Sequence, residues 1–371
     1  MKKFAFIAFF AVALLLTACG TGAGEKGSAT KKVSVVATIY PQYDWLKNIL
    51  GDRAGAVDLK LLIKNGTDLH SYKPSAQDIA SIAGADMVVY VGGESDDWIR
   101  KALAATPKEG RIAVNLMEAL GNRVKEEEIV EGMQVEEETR EDEHHHVHHH
   151  DEAAEHAEEH EHHEHGKSTE PAEADAAEHH EHEHHHDEEE EVENDEHIWL
   201  SLKNAIVLVN SLAESLGELD SSNAATYKMN GAMYAAKLYN LDGAFASAVA
   251  NVEQKTILFG DRFPFRYLVD DYGIKYYAAF VGCSAESEAS FETVAFLAGK
   301  MDSLSLPAIF TIEGGNGKIA RTILDASKNS KDVEILTLNS MQSVTDAQIK
   351  EGLDYLSIMQ SNLDVLKKAL K

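Results

Sequence analysis

The chain has 371 residues, two cysteines and a formal net charge of -29 at pH 7. The acidity is local: residues 125–196 hold 31 acidic and three basic residues, whereas the rest of the chain holds 32 acidic and 31 basic residues. No cluster of Lys and Arg of the kind needed for nucleic acid binding is visible, so we expect no nucleic acid partner. Two cysteines are too few for a disulfide framework, so stability has to come from ordinary hydrophobic cores.

The first 19 residues have the pattern of a secretory signal. Lys2 and Lys3 precede an apolar stretch, residues 4–16, which is shorter than the roughly 20 residues that a membrane-spanning helix needs. The stretch runs into Leu-Thr-Ala-Cys, which resembles a bacterial lipobox and implies cleavage before Cys19 and diacylation of that cysteine. We therefore expect an extracytoplasmic protein, lipid-anchored to the bacterial cell membrane, with an uncleaved anchor as the alternative. Residues 20–32, rich in Gly, Ser and Thr, are predicted to form a flexible tether.

Residues 33–220 are predicted to form an N-terminal lobe in which strands alternate with helices. Apolar runs at residues 33–39, 57–63 and 87–91 predict strands, separated by turn residues and helical patterns. Repeated strand–helix pairs favour a parallel α/β sheet, in which ligands bind beyond the carboxyl ends of the strands. His70 follows the second strand, so we expect it at that edge of the sheet.

An insert rich in histidine and acidic residues interrupts this lobe at about residues 126–194. It holds 17 of the 19 histidines, and residues 141–191 contain almost no large apolar residues, so we expect it to be disordered. Neutral imidazoles and carboxylates bind zinc, copper and nickel ions, which predicts weak and unselective metal collection by this tract. A solvated acidic linker is the alternative interpretation.

His197 comes directly after the insert and just before a predicted helix. An apolar stripe then recurs at spacings of three and four over residues 221–250, which predicts a connecting helix about 40 Å long. Residues 251–371 return to the strand–helix pattern and predict a C-terminal α/β lobe. Its strands are predicted at residues 256–259, 276–281 and 308–312, and its closing helix from about residue 344 to residue 370.

The segments around the two isolated histidines resemble those of the solute-binding lipoproteins of zinc and manganese ABC importers. The resemblance covers residues 33–370 and is closest to the zinc-uptake branch with a histidine-rich loop. It rests on Asp-Leu-His-Ser-Tyr-Lys at residues 68–73, on Asp-Glu-His-Ile-Trp-Leu-Ser at residues 195–201, on the histidine tract before the second motif and on the lipobox. It implies an α/β fold of two lobes with parallel sheets, joined by a long rigid helix, with a metal cleft between the lobes. It also implies a monomeric receptor, not an enzyme, that delivers Zn²⁺ to an ABC permease in the membrane.

The resemblance implies that His70 and His197 are metal ligands. Zinc accepts neutral imidazole nitrogen and carboxylate oxygen in a tetrahedral shell, so two further ligands are needed. Two histidines in matching motifs, one on each side of a metal-collecting tract, favour ligation over a role as surface residues.

The remaining ligands depart from the family pattern. Family members place a third histidine after the first strand of the second lobe, where this chain has Arg262, which cannot ligate while charged. Asp261 is the nearest donor there, and Glu313 matches the family's carboxylate after the next strand. Cys283 and Glu286, on another strand-end loop, are open alternatives. The predicted ligand set is His70, His197, Asp261 and Glu313.

Three alternative functions remain open at this point. A manganese receptor of the same family would suit two histidines with two carboxylates, but the histidine tract favours zinc because manganese stands lowest in the affinity order. A secreted zinc-dependent hydrolase is less favoured, since the chain has no His-Glu-x-x-His motif. An adhesin that uses the two lobes as a scaffold is a further alternative, although no segment resembles an adhesion motif.

Overall fold

The computed structural model describes residues 32–134, 193–284 and 288–370. The predicted signal segment, Cys19, the tether, most of the histidine-rich insert and Glu286 lie outside these residues. Within the described ranges, no helix is both long enough and apolar enough to cross a membrane.

The N-terminal lobe is built around a four-stranded parallel sheet with the strand order β2-β1-β3-β4. All four residues of β3 are buried, as expected for a parallel sheet that helices cover on both faces. The strands are β1 (Val33–Ala37), β2 (Val57–Leu61), β3 (Met87–Tyr90) and β4 (Ile112–Asn115). The helices are α1 (Tyr40–Leu50), α2 (Ala76–Gly84), α3 (Asp97–Ala105) and α4 (Leu116–Leu120).

Two long helices follow the N-terminal sheet, α5 (Leu202–Leu219) and α6 (Ala224–Ala250). Helix α5 packs on α1, α4 and β4, so it completes the N-terminal lobe. The buried residues of α6 recur at the spacing of three and four that the sequence predicts, and include Tyr227, Tyr234, Leu238, Leu241 and Phe245.

The C-terminal lobe repeats the arrangement, with a parallel sheet in the order β6-β5-β7-β8. Its centre is aromatic: Phe259 and Phe310, on neighbouring strands, stack with ring centroids 5.4 Å apart. The strands are β5 (Thr256–Phe263), β6 (Lys275–Val281), β7 (Ala308–Ile312) and β8 (Glu334–Leu338). The helices are α7 (Arg266–Tyr272), α8 (Phe291–Leu304), α9 (Lys318–Ala326), α10 (Asp346–Lys350) and α11 (Tyr355–Ala369).

Helix α6 joins the two lobes by packing against both. It contacts α1 and α5 on the N-terminal side, and α7 and α11 on the C-terminal side. The predicted architecture, two α/β lobes with parallel sheets joined by a long helix, is confirmed.

Strand β5 is longer than predicted. The sequence pattern ends it at residues 256–259, whereas the strand continues with an irregular register through Phe263. Gly260 is required at the irregularity, because a Cβ atom there would lie 2.5 Å from the Cα atom of Ala320 in α9. The extension carries Arg262 to the carboxyl edge of the sheet.

The closing helix is split, although the sequence predicts one helix over residues 344–370. Helix α10 ends in a turn that contains Gly352 at a φ of 95°. Helix α11 then starts afresh, because the Asp354 carboxylate accepts a hydrogen bond from the Ser357 amide at 2.7 Å and caps it.

Asp44 ties three helices together. This buried carboxylate in α1 accepts hydrogen bonds through Oδ2 from the Tyr234 hydroxyl of α6 at 3.1 Å and from the Tyr355 amide of α11 at 3.3 Å. Burial raises the pKa of Asp44 to about 6. Its ionisation therefore destabilises the fold.

We predict that replacing Asp44 changes the pH dependence of stability. The pKa of Asp44 is raised in the folded state, so its protonated carboxyl stabilises the folded chain most below about pH 4. This stabilisation is lost as the pH rises through about 6. Between about pH 5 and pH 7.5, the wild-type chain should lose about 1–2 kcal/mol of unfolding free energy relative to Asp44→Asn. Urea unfolding in the presence of a chelator measures this difference. The exposed control Asp364→Asn should show no such trend, and a pH-independent difference for Asp44→Asn would contradict the assignment.

Candidate metal centre

The candidate metal centre lies where loops at the carboxyl ends of the two sheets come together, as the parallel topology predicts. His70 follows β2, and His197 lies in the segment that precedes α5. From the C-terminal lobe, Cys283 follows β6. An ion pair between Asp68 and Arg262 joins the two lobes beside these residues.

The side chains of His70 and His197 face one another. Their Nε2 atoms are 3.1 Å apart, and their ring centroids are 5.0 Å apart. Two nitrogen ligands of a tetrahedral zinc ion, each about 2.0–2.1 Å from the metal, lie about 3.3 Å from each other. The His197 side chain is 0% exposed and the His70 side chain 9% exposed. The structure thus brings these two predicted ligands to a separation that suits a single ion.

Hydrogen bonds to the opposite ring nitrogens fix the orientation of both imidazoles. The Asp195 carboxylate lies 2.9 Å from Nδ1 of His197, and the Ser95 hydroxyl lies 2.8 Å from Nδ1 of His70. A carboxylate can only accept, so Nδ1 of His197 carries the proton and its Nε2 has the lone pair. Burial, and next the neighbouring His197, lowers the pKa of His70 to about 3. That ring is therefore neutral at physiological pH and able to coordinate.

Cys283 is the third member of the cluster. His70, His197 and Cys283 each offer a ligand atom, and these atoms all lie within 4.8 Å of one another. Gly282 holds the cysteine loop against the imidazole, because a Cβ atom at Gly282 would lie 2.9 Å from Cε1 of His197. Burial, and next the charge of Glu127, raises the pKa of the partly buried Cys283 thiol well above its usual range.

The two predicted carboxylate ligands, Asp261 and Glu313, are outside this cluster and accept hydrogen bonds elsewhere. Asp261 accepts from the backbone amides of Arg262 at 3.0 Å and Ile312 at 3.3 Å. Glu313 accepts from the amide and hydroxyl of Ser340 at 2.6 and 2.9 Å. Their oxygens thus hold neighbouring loops of the C-terminal lobe, and their ligand role stays a prediction.

Two further side chains shape the site, and sequence reasoning did not assign them these roles. Gln342, after β8, places its Nε2 atom 3.0 Å from Nε2 of His197. An ion that binds His197 therefore displaces this amide. Arg262, near the end of β5, pairs with Asp68 and lies 3.5 Å from Oε1 of Gln342. The sequence offered a signal for the Asp68 end of this ion pair, because Asp68 is part of the first histidine motif. It offered no signal for Gln342, which belongs to no motif.

Acidic side chains lie next to the imidazoles and give the site a negative electrostatic potential when they are ionised. Glu196 lies with Oε2 3.7 Å from Nδ1 of His70, and this oxygen has no hydrogen-bond partner. Burial raises the pKa of Glu196 and of Glu127, and it raises the pKa of Asp96 to about 7 with a contribution from the Glu196 charge. Buried carboxyls that lack full hydrogen bonding are stabilised by a nearby cation, so the site favours a positively charged ligand.

Two parallel α/β lobes around a long helix, with ligand groups at the facing strand ends, define a two-lobed solute-binding protein. The family model described as zinc-uptake complex component A, periplasmic, matches residues 35–369. The chain therefore belongs to that family.

Characterised relatives are similar along nearly the whole chain. The zinc-binding lipoprotein AdcA of Streptococcus pneumoniae strain R6 is 30% identical over 368 residues, which cover 99% of this chain and 61% of AdcA. The high-affinity zinc uptake system protein ZnuA of Bacillus subtilis is 28% identical over 360 residues, which cover 96% of this chain and 94% of that protein. The structure of the Zn(II)-bound ZnuA-like domain of Streptococcus pneumoniae AdcA gives a TM-score of 0.62 at 26% identity, covering 91% of this chain and 99% of the domain. This chain thus spans 61% of the length of the AdcA relative.

We predict that Asp195→Asn lowers the affinity for Zn²⁺ by about 10- to 100-fold, because it weakens the hydrogen bond that orients His197. Competition titration against a chromophoric chelator measures the change. Asp271→Asn is a matched control, because Asp271 is not part of the cluster and accepts a hydrogen bond of 2.6 Å from the Ser201 hydroxyl. This substitution should leave the Zn²⁺ affinity within about threefold of the wild-type value. Equal affinity in wild type and Asp195→Asn would show that Asp195 does not orient the ligand.

Proposed function

We propose that this protein is the extracytoplasmic substrate-binding component of an ABC importer, and that it captures Zn²⁺ between its lobes for delivery to a membrane permease. The observation that carries this proposal is the pair of buried imidazoles whose Nε2 atoms are 3.1 Å apart. Their Nδ1 atoms are committed to Asp195 and Ser95, so both Nε2 atoms are left facing one point. The ion is the cargo of the protein and is not a catalytic cofactor.

The similar proteins support zinc as the cargo. AdcA is named a zinc-binding lipoprotein, and the Bacillus subtilis relative a high-affinity zinc uptake protein. The donor chemistry agrees, since imidazole nitrogen suits zinc, whereas manganese prefers oxygen ligands and stands lowest in the affinity order. A manganese receptor is therefore the second candidate.

The parts of the chain outside the described residues complete this proposal. The histidine-rich tract collects ions and raises their local supply, and the site between the lobes selects among them. Diacylation of Cys19 anchors the monomeric protein to the outer face of the cell membrane, close to the permease.

We predict that His70→Ala and His197→Ala each lower the Zn²⁺ affinity of the tight site by at least about tenfold, because each removes one of its ligands. Chelator competition with tight and weak binding phases resolved measures this loss. His182→Ala, a matched substitution within the tract, should leave the tight phase unchanged. If neither His70→Ala nor His197→Ala weakened the tight phase, the proposed site would be wrong.

We predict that deleting residues 141–190 removes the weak phase and keeps the tight one. The deletion stops there because the Glu127 amide donates to the Glu193 carbonyl at 2.8 Å and Asn194 pairs with Glu126, which closes the ends of the insert. Isothermal titration with Zn²⁺ should show fewer bound ions with an unchanged tight affinity, and loss of the tight site would contradict this division of roles. In the same variant, a preference of about tenfold or more for Mn²⁺ over Zn²⁺ would favour the manganese receptor.

A further inference from the structure

We propose that the sulfur of Cys283 is the third ligand of the bound zinc ion, so that one His-His-Cys site spans the two lobes. The inference rests on the proposed function and specifies its metal site. Cys283 takes over the role that Arg262, at the position of the family's third histidine, cannot perform while it is charged.

The first argument is proximity. A ligand atom of Cys283 and one from each imidazole lie within 4.8 Å of one another. Among the His, Cys, Asp and Glu side chains of the described residues, these three form the group whose spacing suits a metal ion. In a tetrahedral zinc site with Zn–S of about 2.3 Å and Zn–N of about 2.0–2.1 Å, sulfur and nitrogen lie about 3.6 Å apart. Side-chain adjustment of about 1 Å therefore suffices to close the site around an ion.

The second argument is that the backbone is arranged to bring the sulfur there. Gly282 packs so closely that a Cβ atom would lie 2.9 Å from both Cε1 of His197 and the carbonyl oxygen of Phe263. The backbone amide of Cys283 donates a hydrogen bond of 3.2 Å to Oε1 of Glu127 in the N-terminal lobe, and this bond holds the turn in place. A residue with a side chain at position 282 would push the cysteine away from the imidazole.

The third argument is that the competing donors of the C-terminal lobe are already committed. Glu313 accepts hydrogen bonds from the amides of Ser340 and Gln342 at 2.6 and 3.0 Å, and Asp261 accepts from two backbone amides. Moving either carboxylate to the ion leaves buried amides unsatisfied, which costs about 1–3 kcal/mol each. Coordination by Cys283 gives up only the contact of its thiol with the Glu127 carboxylate and leaves no backbone amide without an acceptor.

The chemical step is coordination with loss of a proton. The sulfur donates an electron pair to Zn²⁺ and the S–H proton leaves to solvent, since zinc-bound cysteine is a thiolate. A thiolate ligand also sharpens selectivity, because soft sulfur favours zinc over manganese, which prefers oxygen donors. The cysteine thus makes the site between the lobes specific for zinc, whereas the histidine-rich tract is unselective.

Cobalt substitution tests the sulfur ligand without any mutation. Co²⁺ adopts zinc sites, and a bound thiolate gives an intense near-ultraviolet sulfur-to-cobalt charge-transfer band that imidazole and carboxylate ligands do not give. We expect this band when the full-length mature protein is titrated with Co²⁺. The histidine tract contains no cysteine, so cobalt bound there contributes nothing to it.

Two variants locate the band and measure its consequence. Cys283→Ser should abolish the band, lower Zn²⁺ affinity by at least about tenfold and reduce the preference for Zn²⁺ over Mn²⁺ by at least about tenfold. Cys283→His should also lack the band but keep Zn²⁺ affinity within about tenfold of wild type, because it restores a zinc donor. Circular dichroism melting of each variant checks that it is folded.

The outcomes separate this inference from the proposed function. If wild type binds Co²⁺ with visible bands that disappear in His70→Ala but shows no charge-transfer band, the sulfur ligand is overturned and the zinc receptor stands. If Cys283→Ser keeps wild-type zinc affinity, the inference fails in the same way. If tight binding of Zn²⁺ is missing from the wild type, or is insensitive to His70→Ala and His197→Ala, the proposed function itself fails.

Discussion

The structure depends on one close contact, in which two imidazole rings meet with their Nε2 atoms 3.1 Å apart. Two lone pairs at this distance repel unless a proton or a cation lies between them. The contact persists because Asp195 and Ser95 occupy the opposite nitrogens and because His197 is fully buried. Buried carboxyls around the rings bias the site towards a cation. The fold thus maintains an arrangement of donors that a divalent ion stabilises.

The two-lobed architecture supplies the rigidity that this contact needs. Parallel sheets place their strand ends at one edge, and helix α6, packed against both lobes, sets how those edges face each other. Asp44 links α1 to α6 and α11, so hydrogen bonds of the helices also connect the lobes. The Asp68–Arg262 ion pair joins the strand-end loops directly. Arg262 cannot ligate a metal while it is charged, and it connects the lobes instead.

The proposed ligands are divided unequally between the two lobes. Both histidines belong to the N-terminal lobe, so an ion bound by them contacts both lobes only if the C-terminal lobe supplies a further ligand. In the proposed site that ligand is Cys283, which the close packing of Gly282 holds beside His197. The acidic residues of the C-terminal lobe instead accept hydrogen bonds that shape the loops around the site. A site with this proposed donor set would select zinc by the softness of sulfur rather than by the number of carboxylates.

The sequence alone determined the α/β class, the parallel sheets, the connecting helix and the two histidines, because hydrophobic periodicity and short motifs are local signals. Only the tertiary structure showed that Cys283, rather than either predicted carboxylate, lies beside the two histidines. Glu313 and Cys283 follow two strands of one sheet and Asp261 lies near the end of a third, and the sequence favoured the two carboxylates over the cysteine. Their side-chain directions depend on the irregular end of β5, on Gly260 and Gly282 at close backbone contacts, and on which amides need an acceptor. These are distances between segments far apart in the chain, and residue patterns do not encode them.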